Sequence, residues 1–298
     1  MNGIINVYKE KGFTSHDVVA KLRGILHQKK IGHTGTLDPD ATGVLPVCLG
    51  NATKLCDLLT DKDKTYKAVL KLGVVTDTQD LTGKILEELP VECSREEMEQ
   101  ALYSFLGDYQ QIPPMYSALK VNGKKLYELA REGKVVERKP RQVKIYDIKI
   151  WDVNWEQKEV EFEVTCSKGT YIRTLCHDIG KKLGCGGAMK SLVRTRVSRF
   201  QIEESLSLTE IEALAKENQI EEKIMAVDKF FINNPAVYMK EDADKRIYNG
   251  NSFQKRNIQT QETGTGDWIR VYDSKGIFIG IYKLEEKEEI YKPVKMFL

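Results

Sequence analysis

Apolar and polar residues alternate with a period of two in several stretches, the pattern of a strand with one buried face. Residues 65–73 show it best. Tyr66, Ala68, Leu70 and Leu72 fall on one face, and Lys67, Val69 and Lys71 on the other. Residues 143–151 and 160–165 alternate likewise and predict a pair of antiparallel strands, with Val160, Phe162, Val164 and Cys166 on one face of the second. Residues 3–8 are a short apolar run that reads as a further strand, and 269–272, 276–282 and 291–297 predict three more near the C-terminus. Helical spacing appears elsewhere. Val18, Val19, Leu22 and Ile25 predict a helix from His16, with Ser15 as its N-cap. Residues 53–59 read as helical, and 94–107 as a helix with a Ser94–Glu97 capping box. Ile172, Leu175, Cys176, Ile179 and Leu183 share one helix face, and Gly184 stops it. Residues 208–217 read as an acidic helix capped by Ser207 or Thr209.

One stretch obeys neither period. Residues 31–50, IGHTGTLDPDATGVLPVCLG, hold four glycines, two prolines, His33, Asp38 and Asp40. At that density the chain turns repeatedly and lets another molecule approach its backbone. Asp38 precedes Pro39, which biases it toward an extended or turn conformation. A carboxylate on a stiff loop beside small residues suits a reactive group that meets a bulky substrate. The run lacks the Gly-Lys-Ser/Thr ending of a phosphate loop and the spacing of a dinucleotide fingerprint. His33, Asp38 and Asp40 have no second histidine or cysteine at ligand spacing, so no metal site and no cofactor are expected. A packed loop with Asp38 capping a turn is the plain structural alternative.

GHTGTLDPDATGVLPV resembles the signature of the TruB family, the bacterial tRNA pseudouridine-55 synthases. The resemblance implies that Asp38 is a catalytic nucleophile. It extends to Gly12, Thr14 and Ser15, to the 76–83 loop TDTQDLTG, to the PPMYSALK run, to KGTYIRTL and to residues 189–197. It implies that Tyr66 stacks on the target uracil and takes part in the chemistry. Arg173 would pair with Asp38, Tyr171 would pack under the site, and Leu192 would line the uracil pocket. His33 would fill or hold the space left by a flipped base, and Lys9 would be a substrate contact. The family usually has Lys-Pro where this chain has Lys9-Glu10, so the turn is built differently here. Read without the resemblance, Tyr66 and Leu192 suit a core equally well, and Arg173 in a first helical turn opposes the helix dipole and calls for an anion.

The 298 residues carry a net charge of only +2, but the charge is segregated. Residues 120–149 carry +6 and 166–200 carry +7, while 203–222 are acidic. Such segregation suggests a polyanion-binding face or, more plainly, a solvated basic surface. In 111–141, Tyr116, Lys120, Lys124, Lys125 and Tyr127 interleave cations and aromatics, as a surface for RNA backbone and bases would. This segment resembles the family's thumb insertion. A short helix over 126–132 closed by Gly133 is predicted in it, and mobility is expected because little apolar surface is on offer. The six cysteines form no CxxC and no cluster with histidine, and read as reduced thiols. No run approaches the apolar length of a membrane helix, and the first residues lack a signal-peptide pattern, so a cytoplasmic protein is expected.

The expected fold is α+β: a pseudouridine synthase fold with a central, mostly antiparallel sheet flanked by helices, and a small C-terminal PUA-like β-barrel. The catalytic domain would span 1–232, with its thumb at about 111–141, and the PUA-like RNA-binding domain 233–298. The expected activity is isomerisation of uridine to pseudouridine in RNA, at uridine 55 of the tRNA T-loop, with tRNA as the partner, no membrane, no obligate protein partner and a monomeric enzyme. Residue types leave open whether Asp38 attacks the sugar or the ring. Two rivals remain. A non-catalytic RNA-binding protein would keep the basic faces but has no need of Asp38 and Arg173. A related synthase acting on ribosomal RNA with partners is the other, and the short barrel without long basic tails favours the stand-alone tRNA enzyme.

Overall fold

The computed structural model describes residues 1–121, 123–265 and 267–298. The chain opens with β1 (Gly3–Lys9), α1 (Ser15–Ile25), β2 (Ile31–His33), β3 (Thr42–Leu49), α2 (Cys56–Thr60) and β4 (Lys64–Leu72). A small hairpin, β5 (Val74–Thr76) with β6 (Ile85–Glu88), precedes α3 (Arg95–Tyr103) and β7 (Gly107–Gln111). The thumb-like segment holds a second hairpin, β8 (Lys120–Val121) with β9 (Lys124–Lys125), and α4 (Leu126–Arg131). Then come β10 (Arg141–Asn154), β11 (Glu159–Cys166), α5 (Ile172–Lys182), β12 (Gly187–Val197), β13 (Phe200–Gln201) and α6 (Leu208–Lys216). Among the described residues, these strands build one nine-stranded sheet in the order β1-β3-β12-β4-β11-β10-β7, with β2 beside β3 and β13 beside β12. Every pairing is antiparallel except β12 with β3. The parallel contact and its two flanking strands mark the middle of the sheet, where the candidate site lies.

The alternating strand behaves as its pattern demands. Tyr66, Ala68, Leu70 and Leu72 of β4 are buried in a cluster with Val160, Phe162 and Val164 of β11 and Ile172, Leu175 and Ile179 of α5. Some local details differ from expectation. The N-cap of α1 is Thr14, which shares a capping box with Asp17. Ser15 instead serves the loop that follows β2, where its Oγ accepts from the Leu37 N–H at 3.0 Å. The predicted 53–59 helix is a 3-10 turn, Gly50–Leu55, that runs into α2. The predicted 94–107 helix ends at Tyr103, because Gly107 already opens β7. The thumb-like segment carries a small core of its own, Met115, Leu126 and Leu129, with Tyr116, Leu119 and Val136 packed around it. It therefore buries more apolar surface than its sequence led us to expect.

From Ala236 onward, β14 (Ala236–Met239), α7 (Asp244–Tyr248), β15 (Phe253–Gln254), β16 (Ile258–Gln261), β17 (Ile269–Tyr272), β18 (Phe278–Glu285) and β19 (Ile290–Met296) follow. The strands form a six-stranded sheet in the order β15-β19-β18-β17-β14-β16, curled into a nearly closed barrel. Its own core is Val237, Met239, Ile247, Phe253, Val271 and Tyr282. Ile281 and Phe297, however, join a cluster with Leu55, Leu59, Val197, Val227 and Phe231 of the large sheet's side. Lys295 reinforces that junction through an ion pair with Asp57 at 2.6 Å.

Candidate active site at the centre of the sheet

Asp38 sits on the loop that joins β2 to β3, and that loop is fastened from several sides. Leu37 is buried, and its N–H donates to Ser15. The Gly12 N–H donates to the Pro39 carbonyl at 2.9 Å, and Thr34 Oγ1 donates to the Pro46 carbonyl at 3.0 Å. Lys9 lies beneath, fully buried, and its ammonium donates to the carbonyls of Ala41 (2.6 Å), Pro39 (3.1 Å) and Glu10 (3.1 Å). Burial lowers the Lys9 ammonium to about 8, against the pull of Asp38 and Asp40. The backbone is so held, while the Asp38 side chain, about 40 % exposed, remains open to solvent.

Arg173, the second residue of α5, meets it. Its Nε lies 2.9 Å from Asp38 Oδ2, and its Nη2 donates to Oδ1 at 3.3 Å, so the guanidinium grips both carboxylate oxygens. The other N–H groups are committed as well. Nη1 donates to the Thr78 carbonyl at 3.1 Å and lies 3.5 Å from Asp80, and Nη2 donates to the Tyr116 carbonyl at 2.9 Å. The unfavourable position of a cation at a helix N-terminus is thus met by two carboxylates. Burial pushes the Asp38 carboxyl above its ordinary range, and the Arg173 charge opposes that rise. A carboxylate partly withdrawn from water, with its charge compensated, can act as a nucleophile or a base.

Tyr66 flanks the site from β4. It is 7 % exposed, and burial pushes its phenol up to about 12. Leu192 on β12 stands opposite Ala68, and both join Tyr66, Leu37, Ala41 and Ile172 in one cluster. Tyr171 is the residue just before α5. The Gln111 side chain pins its backbone at both ends, accepting from Tyr171 N–H at 2.7 Å and donating to its carbonyl at 3.0 Å. His33 ends β2 and packs edge-on against His16 of α1, centroids 5.0 Å apart. Its Nδ1 is buried without a partner, and burial lowers its basicity.

Asp38, Arg173, Tyr66 and Leu192 are therefore brought together from a loop, a helix and two strands. Three expected substrate contacts lie elsewhere, on the thumb hairpin. Lys120 is exposed, Lys124 sits 3.5 Å from Glu132, and Lys125 donates to the Tyr127 hydroxyl at 3.2 Å. Lys9 is a correction: an ammonium wholly enclosed and committed to three carbonyls does not reach a bound polymer. Sequence reasoning missed Asp80 and Arg194. Asp80 was in view only as part of a polar loop. Arg194 lies two residues beyond Leu192, on the same strand face, and a cation on a buried face was the available signal.

A carboxylate gripped by an arginine near a buried tyrosine is suited to the nucleophilic or acid–base work of an enzyme. The model described as TruB family pseudouridylate synthase (N terminal domain) matches residues 23–172, and that described as tRNA pseudouridylate synthase B C-terminal domain matches 173–232. A tRNA pseudouridine synthase B of Lachnoclostridium phytofermentans is 59% identical over the full length of both chains. One of Alkaliphilus oremlandii is 46% identical, covering 98% of this chain and 96% of its own. A solved H/ACA RNP bound to a substrate RNA containing 2'-deoxyuridine includes a chain of similar fold, with TM-score 0.72 and 26% identity over 99% of this chain and 85% of that one. The chain belongs to the TruB family of pseudouridylate synthases, enzymes that turn uridine into pseudouridine.

Proposed function

We propose that this enzyme acts on tRNA, at uridine 55 of the T-loop, with Asp38 as nucleophile. The reaction is an isomerisation: the C1′–N1 bond breaks, a C1′–C5 bond forms, C5 loses a proton and N1 gains one. Nothing is oxidised or reduced. The observation that carries the reading is the two-point grip of Arg173 on Asp38, whose positive charge opposes the upward pull of burial on that carboxyl and so favours its charged form. Tyr66 stacks on the base and moves a proton, with Tyr171 and Leu192 as walls. The target base leaves the RNA stack at a cost of a few kcal/mol, and His33 takes up the space it vacates. Lys120, Lys124 and Lys125 contact phosphates from the thumb. Residues 1–232 form the catalytic domain and 233–298 a PUA-like RNA-binding domain. The names of the full-length relatives support the tRNA substrate. The test is pseudouridine mapping of an unmodified tRNA transcript after incubation with the purified protein. One pseudouridine at position 55, absent with Asp38→Asn although that variant still binds tRNA, is expected. Modification elsewhere, or turnover by Asp38→Asn within tenfold of wild type, would overturn the reading.

A further inference from the structure

Arg194 is the largest fully buried side chain in the described protein, 1 % exposed, and it lies at the parallel seam of the sheet. Its backbone fits tightly against Gly43 of β3: a Cβ there would stand 2.2 Å from the Arg194 carbonyl. On the other side Arg194 is the cross-strand partner of Tyr66. Its Nε donates to the Val44 carbonyl at 2.7 Å, and its Nη2 is buried with no partner. Among the described residues no carboxylate forms an ion pair with it. A guanidinium stays charged in a protein interior, so an unpaired one is costly unless an anion forms beside it. Its charged neighbours are Lys9 from β1, His33 from β2 and Lys64 from β4, all cations or potential cations. The group it favours, and that favours it, is the Tyr66 phenol. That phenol faces two other ionisable groups, Cys166 of β11 and Asp38 of the loop.

We infer that Arg194, the cross-strand neighbour of Tyr66, is a positioning residue whose charge stabilises the Tyr66 phenolate, the form able to take the proton from C5. It rests on the role given to Tyr66 above. In that step the C5–H bond breaks, its electron pair enters the ring and comes to rest on N1, and the proton goes to the phenolate oxygen. N1 is then protonated by the phenol or by water, and no electron is gained or lost. The free Nη2 supplies the N–H that the phenolate lacks elsewhere, since Asp38 and Cys166 disfavour its charge.

Replacement of Tyr66 by 3,5-difluorotyrosine, whose phenol ionises at lower pH, makes the group visible by 19F NMR. The midpoint is expected to rise in the order wild type, Arg194→Lys, Arg194→Met, by about one pH unit or more for the last. With natural Tyr66, the single-turnover rate of Arg194→Met at saturating enzyme should fall about tenfold per unit of that rise at neutral pH. It should recover toward wild type as pH increases, with tRNA affinity unchanged within threefold. A midpoint that does not move in Arg194→Met, or a rate loss equal at every pH, overturns the inference. If Arg194→Met does not fold, Arg194→Lys carries the test, and an unmoved midpoint there overturns it equally. Tyr66→Phe separates the two claims. A Tyr66→Phe enzyme with wild-type turnover overturns the role of Tyr66 itself, and this inference with it. An inactive Tyr66→Phe with a midpoint insensitive to Arg194 overturns this inference alone.

Discussion

Replacement of Lys9 by methionine tests the support of the catalytic loop. The ammonium serves three carbonyls, but they do not depend on it equally. Pro39 O keeps the Gly12 N–H as a second donor, and the bond to Glu10 O is only partly buried, so water can replace it. Ala41 O, at 2.6 Å and buried, loses its side-chain donor. An orphaned buried acceptor costs about 1–3 kcal/mol, and hydrogen bonds to a charged group contribute about 1.5–3 kcal/mol each. Against this, the variant no longer buries an ammonium. The orphaned acceptor therefore sets an upper bound of about 1–3 kcal/mol on the loss, which at roughly 2 °C per kcal/mol for a long chain lowers the melting temperature by at most about 2–6 °C. The effect has a pH sign. The folded ammonium titrates near 8 and the unfolded one near its ordinary 10.5. Between those values the unfolded chain binds more protons, so wild type gains stability relative to Lys9→Met as pH rises through that window. Thermal melts of both proteins at pH 7, 8.5 and 10 measure this. The saturated rate should fall about tenfold as Asp38 loses its fixed position, while tRNA affinity holds within twofold. A variant that melts with wild type yet binds tRNA ten times more weakly would refute the argument and return Lys9 to the RNA-contacting surface.

Arg173→Met should slow the saturated single-turnover rate by at least a hundredfold and move its acid limb to higher pH, because the group that opposes the upward shift of Asp38 is gone; an unmoved acid limb would contradict that pairing. Gly43→Ala should destabilise by about 3 kcal/mol or more in urea unfolding, since the added carbon meets the Arg194 backbone and φ at Gly43 is +105°. Lys124→Ala combined with Lys125→Ala should flatten the plot of log affinity against log salt by about one to two units, at 0.7–0.9 per phosphate contact, and leave the saturated rate unchanged. A normal salt slope with a hundredfold slower reaction would make the segment a catalytic lid.

β4, β10 and β11 were legible because each buries one face, and period two survives any tertiary context that keeps that face inside; β3, buried on both faces within the Gly- and Pro-rich run, carries no such alternation and was not read as a strand. The Ser94–Glu97 capping box was legible because a cap is a local device, and the choice of Ser15 over Thr14 failed because both hydroxyls fit and only the Leu37 N–H, 22 residues away, decides between them. Asp38 and Arg173 lie 135 positions apart, so no spacing rule can pair them; only likeness to a known motif did. Arg194 escaped because a charged residue in a strand reads as solvent-facing until the neighbouring strands enclose it. Lys9 was misplaced because it was read as part of an exposed turn, whereas it ends β1 and turns its ammonium inward beneath the loop.

The cluster that joins Ile281 and Phe297 to Leu55, Val227 and Phe231 bears on how such chains can be recombined. A cut at 232/233 follows the polypeptide but passes through a continuous apolar seam. A foreign barrel grafted at Ala236 would have to present side chains of matching volume at those two positions and a cation where Lys295 meets Asp57. The two parts can therefore diverge freely over their outer surfaces but must change in step along the seam, so inheritance as a unit is the path of least disruption.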